Sequence, residues 1–568
     1  MMRARPVPLD AHSALIAQGL PPLLARVYAA RGVSQVSMLG ETLDGMLPPR
    51  LLKGIDSAVQ LLANAIARGE RIVVVADYDC DGATACSVAV RGLRMMGAQI
   101  DFLVPNRLEH GYGLTPPIVA LALRHPRLGR PSLLVTVDNG IASHDGVEAA
   151  HAAGLRVLVT DHHLPADSLP AAAAIVNPNQ PGCAFPSKNL AGVGVMFYVL
   201  AALRAHYREI DPQSNAAQAP LQTLLDLVAV GSIADMVRLD ENNRRLVHAG
   251  LRRIRAGQAC AGINALFAQA GRDPKSASSS DLGFLIGPRI NAAGRLADIS
   301  LGIACLLTDE PDAAARYAQQ LDVINRERRE IEHTMREQAF ASVGDPAPEA
   351  WSVVAHDSSW HEGVIGLVAG QMKTRFARPA FAFAPTADRT GWRGSGRSVP
   401  GIHLRDALDL VSKRVPGLIV RFGGHAMAAG LTLAGEAVEH FARAFEQVLR
   451  DTADPEALQP ELMIDGQLDP GDASLELAHV LSRQVWGQGF PEPLFAHRFK
   501  VVNQRLVGER HLKLDLMVGR RRFEAIAFGR EQPMPAEPTL AYRLSVNEYR
   551  GMRSMQLVIE ACVEDGTL

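Results

Sequence analysis

Three aspartates, Asp77, Asp79 and Asp81, fall within the run DYDCDG, directly after the β-branched stretch IVVVA (72–76). Like charges this close repel, and carboxylates set against an apolar core are costly unless something positive compensates them. EF-hand calcium loops also open D-x-D-x-D, but Val88 stands at the twelfth position, where the bidentate glutamate belongs. Gly82 permits a tight turn into the next element. Further on, VDNG places Asp138 after LLVTV (133–137), and DHH places Asp161, His162 and His163 after RVLVT (156–160). An Asp-Asn-Gly turn alone is common. A lone histidine is more often structural, but a pair flanked by aspartate at a strand end is not easily explained as core. Asp235, in GSIAD near the end of an apolar stretch, reads alone as a cap or surface residue. Its functional reading depends on the other three groups.

Together these residues supply five or six carboxylates and one or two imidazoles. Oxygen-rich ligation with some imidazole suits Mn²⁺ or Mg²⁺ better than Zn²⁺, which favours cysteine or more histidine. Two ions held roughly 3.5–4 Å apart activate water and stabilise a pentavalent phosphoryl state. Asp138, on the middle strand, is the natural bridge between them.

The elements that must position these groups follow an α/β pattern. An amphipathic helix at 52–68 precedes IVVVA, a small-residue helix is expected at 83–96, and a strand at 99–105. Helices near 115–124 and at 141–153 separate the next two strands, and AAIVNP near 173–178 supplies a last one. Short apolar runs alternating with helical patterns indicate a parallel sheet covered on both faces. In such sheets ligands bind beyond the carboxyl ends of the strands, and three strands here end in acidic or histidine residues.

The rest of the chain divides by composition. Residues 1–50 form an N-terminal helical segment, and 51–308 carry the site with a helical extension that includes a Gly/Arg-rich turn, GPRINAAGR (287–295). Residues 309–343 read as one long polar connecting helix, the kind that bridges domains. A second, smaller α/β domain spans 350–452, with a Gly/Ser/Arg loop at 391–398. From 462 to 568, about five short strands suit a small barrel of the OB type.

Of 568 residues, 48% are hydrophobic and 21% charged, ordinary for a globular chain. A net charge of -2 argues against a generally basic nucleic-acid coat protein but leaves room for a basic groove. Six cysteines without a C-x-x-C pair read as free thiols in a reducing cytoplasm. Neither a signal-peptide core nor a run of 18 apolar residues is found.

The ordered motifs D-x-D, D-N-G, D-H-H and a later Asp resemble the DHH phosphoesterases. GPRINAAGR and FGGHAMAAG (422–430) resemble the RecJ family within them. The layout is similar over nearly all of 50–568: DHH domain, connecting helix, DHHA1 domain, OB domain. The resemblance implies single-strand-specific 5′→3′ exonuclease activity releasing mononucleotides, in DNA repair and recombination. Carried over by position, it implies Asp77, Asp79, Asp81, Asp138, His162 and Asp235 as ligands of two Mn²⁺ or Mg²⁺ ions. It also implies Asp79, Asp138, His162 and His163 as the catalytic set, with His163 on the scissile phosphate. Small DHH phosphatases carry histidine where this chain has Val73. That departure leaves the first ion's ligand set open, with Asp81 as a candidate. A single-strand-binding protein and a RecQ-type helicase are the partners implied, and the chain is expected to be a monomer.

A terminal phosphate suits arginine, whose planar fork binds two oxygens at once. Arg107, Arg289, Asn291 and Arg295 lie in motif segments, and Ser395 and Arg397 in GSGRS resemble the RecJ segment that holds the end phosphate. Gly423 and Gly424 offer backbone N–H groups, His425 a further donor, and Tyr112 a stacking ring. Each has a plainer reading, as a solvated charge or turn residue. Arg498, Lys500, Arg505, Lys513, Arg520, Arg521 and Arg522 give the barrel a basic lining for single-stranded backbone. A phosphodiesterase for short oligonucleotides or cyclic dinucleotides shares the metal core, but the domain after 461 and GSGRS argue against it. Deleting 462–568 is expected to weaken binding and leave the chemistry.

Overall fold

The computed structural model describes residues 2–40, 42–105, 113–435, 437–459, 461–508, 510–549 and 552–563. Two compact units emerge. The larger holds 2–294, 298–322 and 463–568, the smaller 295–297 and 323–462.

In the larger unit, strand β1 (Met2–Ala4) comes first. A parallel sheet follows: β2 (Arg71–Ala76), β3 (Gln99–Leu103), β4 (Leu133–Val137), β5 (Arg156–Thr160) and β6 (Ala174–Val176), in the order β3-β2-β4-β5-β6. Strand β2 alternates its side chains between two apolar layers. Ile72, Val74 and Ala76 pack in one core with Val88 and Leu93, while Val73 and Val75 pack in another with Ile118 and Val147. Burial on both faces explains why the strands read as continuous apolar runs. The order turns back between β2 and β4, the point where open α/β sheets bind ligands. Helices Gly192–Ile210, Leu225–Ala234 and Glu241–Arg255 extend this core.

GPRINAAGR is not a turn. It lies in helix Gly287–Leu296, entered through a π-helical segment, Leu282–Ile286. Its glycines serve close approach: a Cβ on Gly294 would collide with the Tyr78 carbonyl oxygen. The small-residue helix also starts earlier than expected, at Cys80.

The smaller unit contains β7 (Val353–His356), β8 (Ala380–Pro385), β9 (Gly391–Arg397), β10 (Ile419–Gly424) and β11 (Ala428–Ala434), ordered β10-β11-β9-β8-β7. Only β7 and β8 pair in parallel. The expected loop at 391–398 is therefore strand β9. Gly394 and Gly396 are glycine because a Cβ there would enter the rings of Phe383 and Phe381 on β8. The long helix Pro311–Val343 begins in the larger unit and ends in the smaller one.

Strand β12 (Leu462–Ile464) marks the return to the larger unit and pairs with β1. Six strands follow, one more than expected: β13 (Phe495–Arg498), β14 (Lys500–Val507), β15 (His511–Val518), β16 (Arg521–Ala527), β17 (Thr539–Tyr549) and β18 (Met552–Val563). Their order is β13-β17-β18-β16-β15-β14. The two end strands, β13 and β14, are separated in sequence by Phe499 alone. Asp465 anchors this region to the N-terminal helices. It receives Arg31 through both guanidinium ends, at 2.7 and 2.9 Å, with both side chains buried. Tyr28, Trp486 and Phe490 stack beside that pair.

Candidate metal centre

Asp77, Asp138 and Asp161 each stand one residue beyond the end of a strand, and each continues the ladder. The Asp77 N–H donates to the Val137 carbonyl at 3.3 Å, Asp138 to Thr160 at 3.0 Å, and Asp161 to Val176 at 3.1 Å. Parallel register thus sets three carboxylates side by side at the switch point. Asp138 takes the left-handed backbone region, φ 63°, uncommon outside glycine and found where surrounding structure enforces it. Helix Gly192–Ile210 packs on it so closely that a Cβ on Gly192 would lie 2.6 Å from both Cβ and Oδ1 of Asp138.

Asp79 caps helix Cys80–Met95, accepting from the Gly82 N–H at 3.0 Å. Asp81 lies in that helix's first turn. Its two oxygens accept the N–H groups of Gly192 and Val193 at 2.6 and 3.0 Å, fixing the next helix's start. The Cys80 N–H donates to Asn291 Oδ1 at 2.8 Å, so Asn291 steadies the acidic loop from below.

His162 Nε2 faces three carboxylates: Asp138 at 3.1 Å, Asp235 at 3.5 Å and Asp81 at 3.9 Å. Three donor groups come within ion-sharing reach: Asp77, Asp79 and Asp138; Asp81, His162 and Asp235; and Asp138, His162 and His163. Asp138 belongs to two of them. Asp161 is turned away from this cluster. It accepts the N–H groups of His162 and His163 and, at 2.8 Å, His163 Nδ1, while its other oxygen accepts the Ile141 N–H. Asn177 and Asn179 donate to the carbonyls of His163 and His162. Asp161 therefore fixes the backbone of both histidines and orients the His163 imidazole.

The electrostatics match a cation site. Burial, and then the neighbouring Asp79, push Asp77 up to about 8 and Asp81 up to about 7. Burial and then Asp81 raise Asp138 and Asp235 well above the carboxylate range. So many buried acids cannot all ionise without positive charge among them. Five of the six donor residues beside His162 offer only oxygen, the preference of hard divalent ions. For His163, burial alone would lower the pKa, but the bond to Asp161 and its charge raise it to about 9. Asp161 moves the opposite way: burial would raise it, and His163 holds it below the usual range.

The remaining expected residues make these contacts within their own units. Arg289 is buried, with Nη2 2.9 Å from Asp322 and Nη1 donating to the Leu285 carbonyl at 2.7 Å. It ties the π-helical segment to the long helix. Arg295 donates to the Gly363 carbonyl within the smaller unit. Ser395 and Arg397 sit over the start of helix Ile365–Phe376, where a Cβ on Gly366 would meet Arg397 Nη2 and Ser395 Oγ, each at 3.0 Å. Gly423 and Gly424 end β10, and His425 opens the turn into β11. Arg107 and Tyr112 lie outside the described residues. In the barrel region, Arg498, Lys513 and Arg522 pair with Glu537, Glu524 and Asp515. The sequence reading missed the orienting role of Asp161 and the packing role of Gly192. The first was signalled by its place in DHH; the second carried no local signal.

Comparison with known proteins agrees along the whole chain. The DHH family N-terminal domain matches residues 71–232, the DHHA1 domain 350–451, and the RecJ OB domain 464–561. The single-stranded-DNA-specific exonuclease RecJ of Escherichia coli is 47% identical over 558 residues, 95% of this chain and 96% of that protein. Its Haemophilus influenzae counterpart is 44% identical with the same coverage. The crystal structure of Thermus thermophilus RecJ in complex with Mn²⁺ superposes with a TM-score of 0.82 at 30% identity, covering 100% of this chain and 80% of that one. The chain belongs to the RecJ family of DHH phosphoesterases.

Proposed function

We propose that this chain hydrolyses single-stranded DNA from a 5′ end, releasing 5′-mononucleotides, with two Mn²⁺ or Mg²⁺ ions. The observation that carries this reading is Asp138. It is shared by two donor groups at the switch point, in a chain similar end to end to single-stranded-DNA-specific exonucleases. RecJ of Thermus thermophilus has been solved with Mn²⁺ and with Mg²⁺. Asp77, Asp79 and Asp138 would hold one ion, and His162 and Asp235, with Asp81 or Asp138 beside them, the other. Asp81 shares its oxygens with the Gly192 and Val193 N–H groups. When bound, the ions supply an activated water and charge stabilisation at the phosphorus.

The chain's own residues do the rest. Asp161 accepts from His163 Nδ1 and orients the imidazole, which suits His163 to contact a phosphate oxygen as charge develops there. Arg397 and Ser395 make a polar corner above a helix start, suited to a terminal phosphate. Among the described residues no helix is long and apolar enough to cross a membrane. The work is cytoplasmic, by a monomer, on strands supplied by a RecQ-type helicase and coated by a single-strand-binding protein.

The test uses 5′-phosphorylated single-stranded DNA with an internal label, in Mn²⁺, Mg²⁺ or EDTA. An Asp79→Ala, Asp138→Ala double variant and a 5′-blocked strand run alongside. Metal-dependent mononucleotide release, absent from the variant and the blocked strand, is the expected result. No release by the unmodified protein in either metal would overturn the reading.

A further inference from the structure

Three large apolar side chains stand in solvent on the backbone that carries, or packs beside, residues of the carboxylate cluster. Met236 directly follows Asp235 and is 69% exposed; Leu164 directly follows His163 and is 63% exposed. Phe284 is 74% exposed, in the π-helical segment. That segment packs on the same helix turn that delivers Asp235. A Cβ on Gly283 would lie 3.2 Å from Ile233, and one on Gly287 3.0 Å from Ala234. The Met236 N–H also bonds to the Ile233 carbonyl, at 3.2 Å.

The backbone at both places is unusual. Met236 is in the left-handed region, φ 57°, which a side chain of its size rarely adopts without enforcement. π-helical turns are rare and concentrate at functional sites. Isolated exposed apolar residues need no explanation. Here, however, two directly follow residues of the cluster, and the third stands on a segment anchored to the Ile233–Ala234 turn. Their neighbours in the cluster are the acids and imidazoles that act on a phosphodiester.

The geometry points to Met236, Phe284 and Leu164 as an apolar rim that takes the nucleobases of the terminal nucleotides, an inference resting on the exonuclease reading above. An aromatic ring, a thioether and an isobutyl group offer stacking and van der Waals contact without hydrogen-bond readout. Every base has a π-face, so such a grip is indifferent to sequence. It would hold the strand by its bases while the acidic cluster, through its cations, holds the phosphate. Met236 and Phe284 share the turn behind Asp235, so base contact and the carboxylate are positioned by one element.

The test compares two 5′-phosphorylated strands in Mn²⁺: oligothymidine, and the same strand with its first three nucleotides lacking a base. The unmodified protein and the variant L164S/M236S/F284S are assayed on both, with thermal melting and Mn²⁺ titration of each protein. The unmodified protein is expected to lose about tenfold or more in kcat/KM on the baseless strand. The variant should show that reduced rate on oligothymidine and no further loss on the baseless strand, with melting and Mn²⁺ affinity unchanged. F284W should retain the unmodified behaviour. Equal rates of the unmodified protein on both strands, or an unmodified ratio in the variant, would refute the rim alone. Degradation of neither strand by the unmodified protein would remove the exonuclease reading itself.

Discussion

Gly192→Ala should damage the metal centre without touching a single donor atom. The new Cβ would sit 2.6 Å from Asp138 Cβ and Oδ1 and 2.8 Å from its Cα, whereas unstrained carbon contacts lie near ~3.5–4 Å. Asp138 cannot yield, because its backbone is already left-handed and its N–H is tied to Thr160. The start of helix Gly192–Ile210 must retreat instead, by roughly 1 Å on those contact distances. That retreat stretches the bonds from Gly192 and Val193 to Asp81. Overpacking costs ~1–3 kcal/mol, and each hydrogen bond to a charged acceptor contributes ~1.5–3 kcal/mol. Partial loss of both gives a destabilisation of about 2–4 kcal/mol, a large share of the ~5–15 kcal/mol typical of a domain. Gly194→Ala is the control on the same helix, since its Cβ would meet only the movable end of Leu190, at 3.2 Å. Thermal melting, Mn²⁺ titration and strand degradation are measured on both variants. The reasoning predicts a lowered melting temperature and at least tenfold weaker Mn²⁺ binding for Gly192→Ala only, a factor worth ~1.4 kcal/mol. If the two variants match in melting and Mn²⁺ affinity, the close packing on Asp138 does not hold the site.

The raised pKa values of Asp77 and Asp81, about 8 and about 7, make metal binding a competition with protons. Mn²⁺ affinity should rise from pH 6 to pH 8 and binding should release protons, read by titration calorimetry in buffers of different ionisation enthalpy. The same shifts have a stability sign. Folded pKa values above the unfolded ones mean that metal-free stability is greatest in acid and falls as pH climbs through 7 to 8. A pH-independent Mn²⁺ affinity would contradict both. Arg397→Ala should erase any preference for a 5′-phosphate over a 5′-hydroxyl while leaving Mn²⁺ affinity intact, checked by competing the two strands. Deleting 462–568 should cost more than DNA binding. It removes Asp465 together with Trp486 and Phe490, which pack on Arg31 and Tyr28, and so bares an apolar face of the N-terminal helices, visible as lowered melting of the remaining chain.

The parts of this molecule that were legible in the sequence are those governed by local pattern. Apolar runs in β2, β4 and β5 marked a sheet buried on both faces, and the residues ending them marked the site. Parallel register then made Asp77, Asp138 and Asp161 neighbours without further information. Glycine misled twice. In GPRINAAGR and along β9 it signals turns by local rules, yet Gly294 makes room for the Tyr78 carbonyl, and Gly394 and Gly396 for phenyl rings. Those partners are distant in sequence, or on a neighbouring strand, and no local pattern announces them. The same holds for Arg289, whose partner Asp322 lies on the long helix, and for Asp81, whose acceptor role depends on a helix 111 residues away.

The ion pair between Arg31 and Asp465 sets a timetable for synthesis. The partners are 434 residues apart, and a ribosome adding ~5–20 residues per second needs roughly 20–90 s to pass from one to the other. By roughly the midpoint of that interval every residue of the metal centre has been made, while the N-terminal helices still lack the charge that seals them. The nascent chain must therefore keep Arg31 hydrated, and with it the stacking face of Tyr28 open. The N-terminal helices are closed by a segment made 434 residues later.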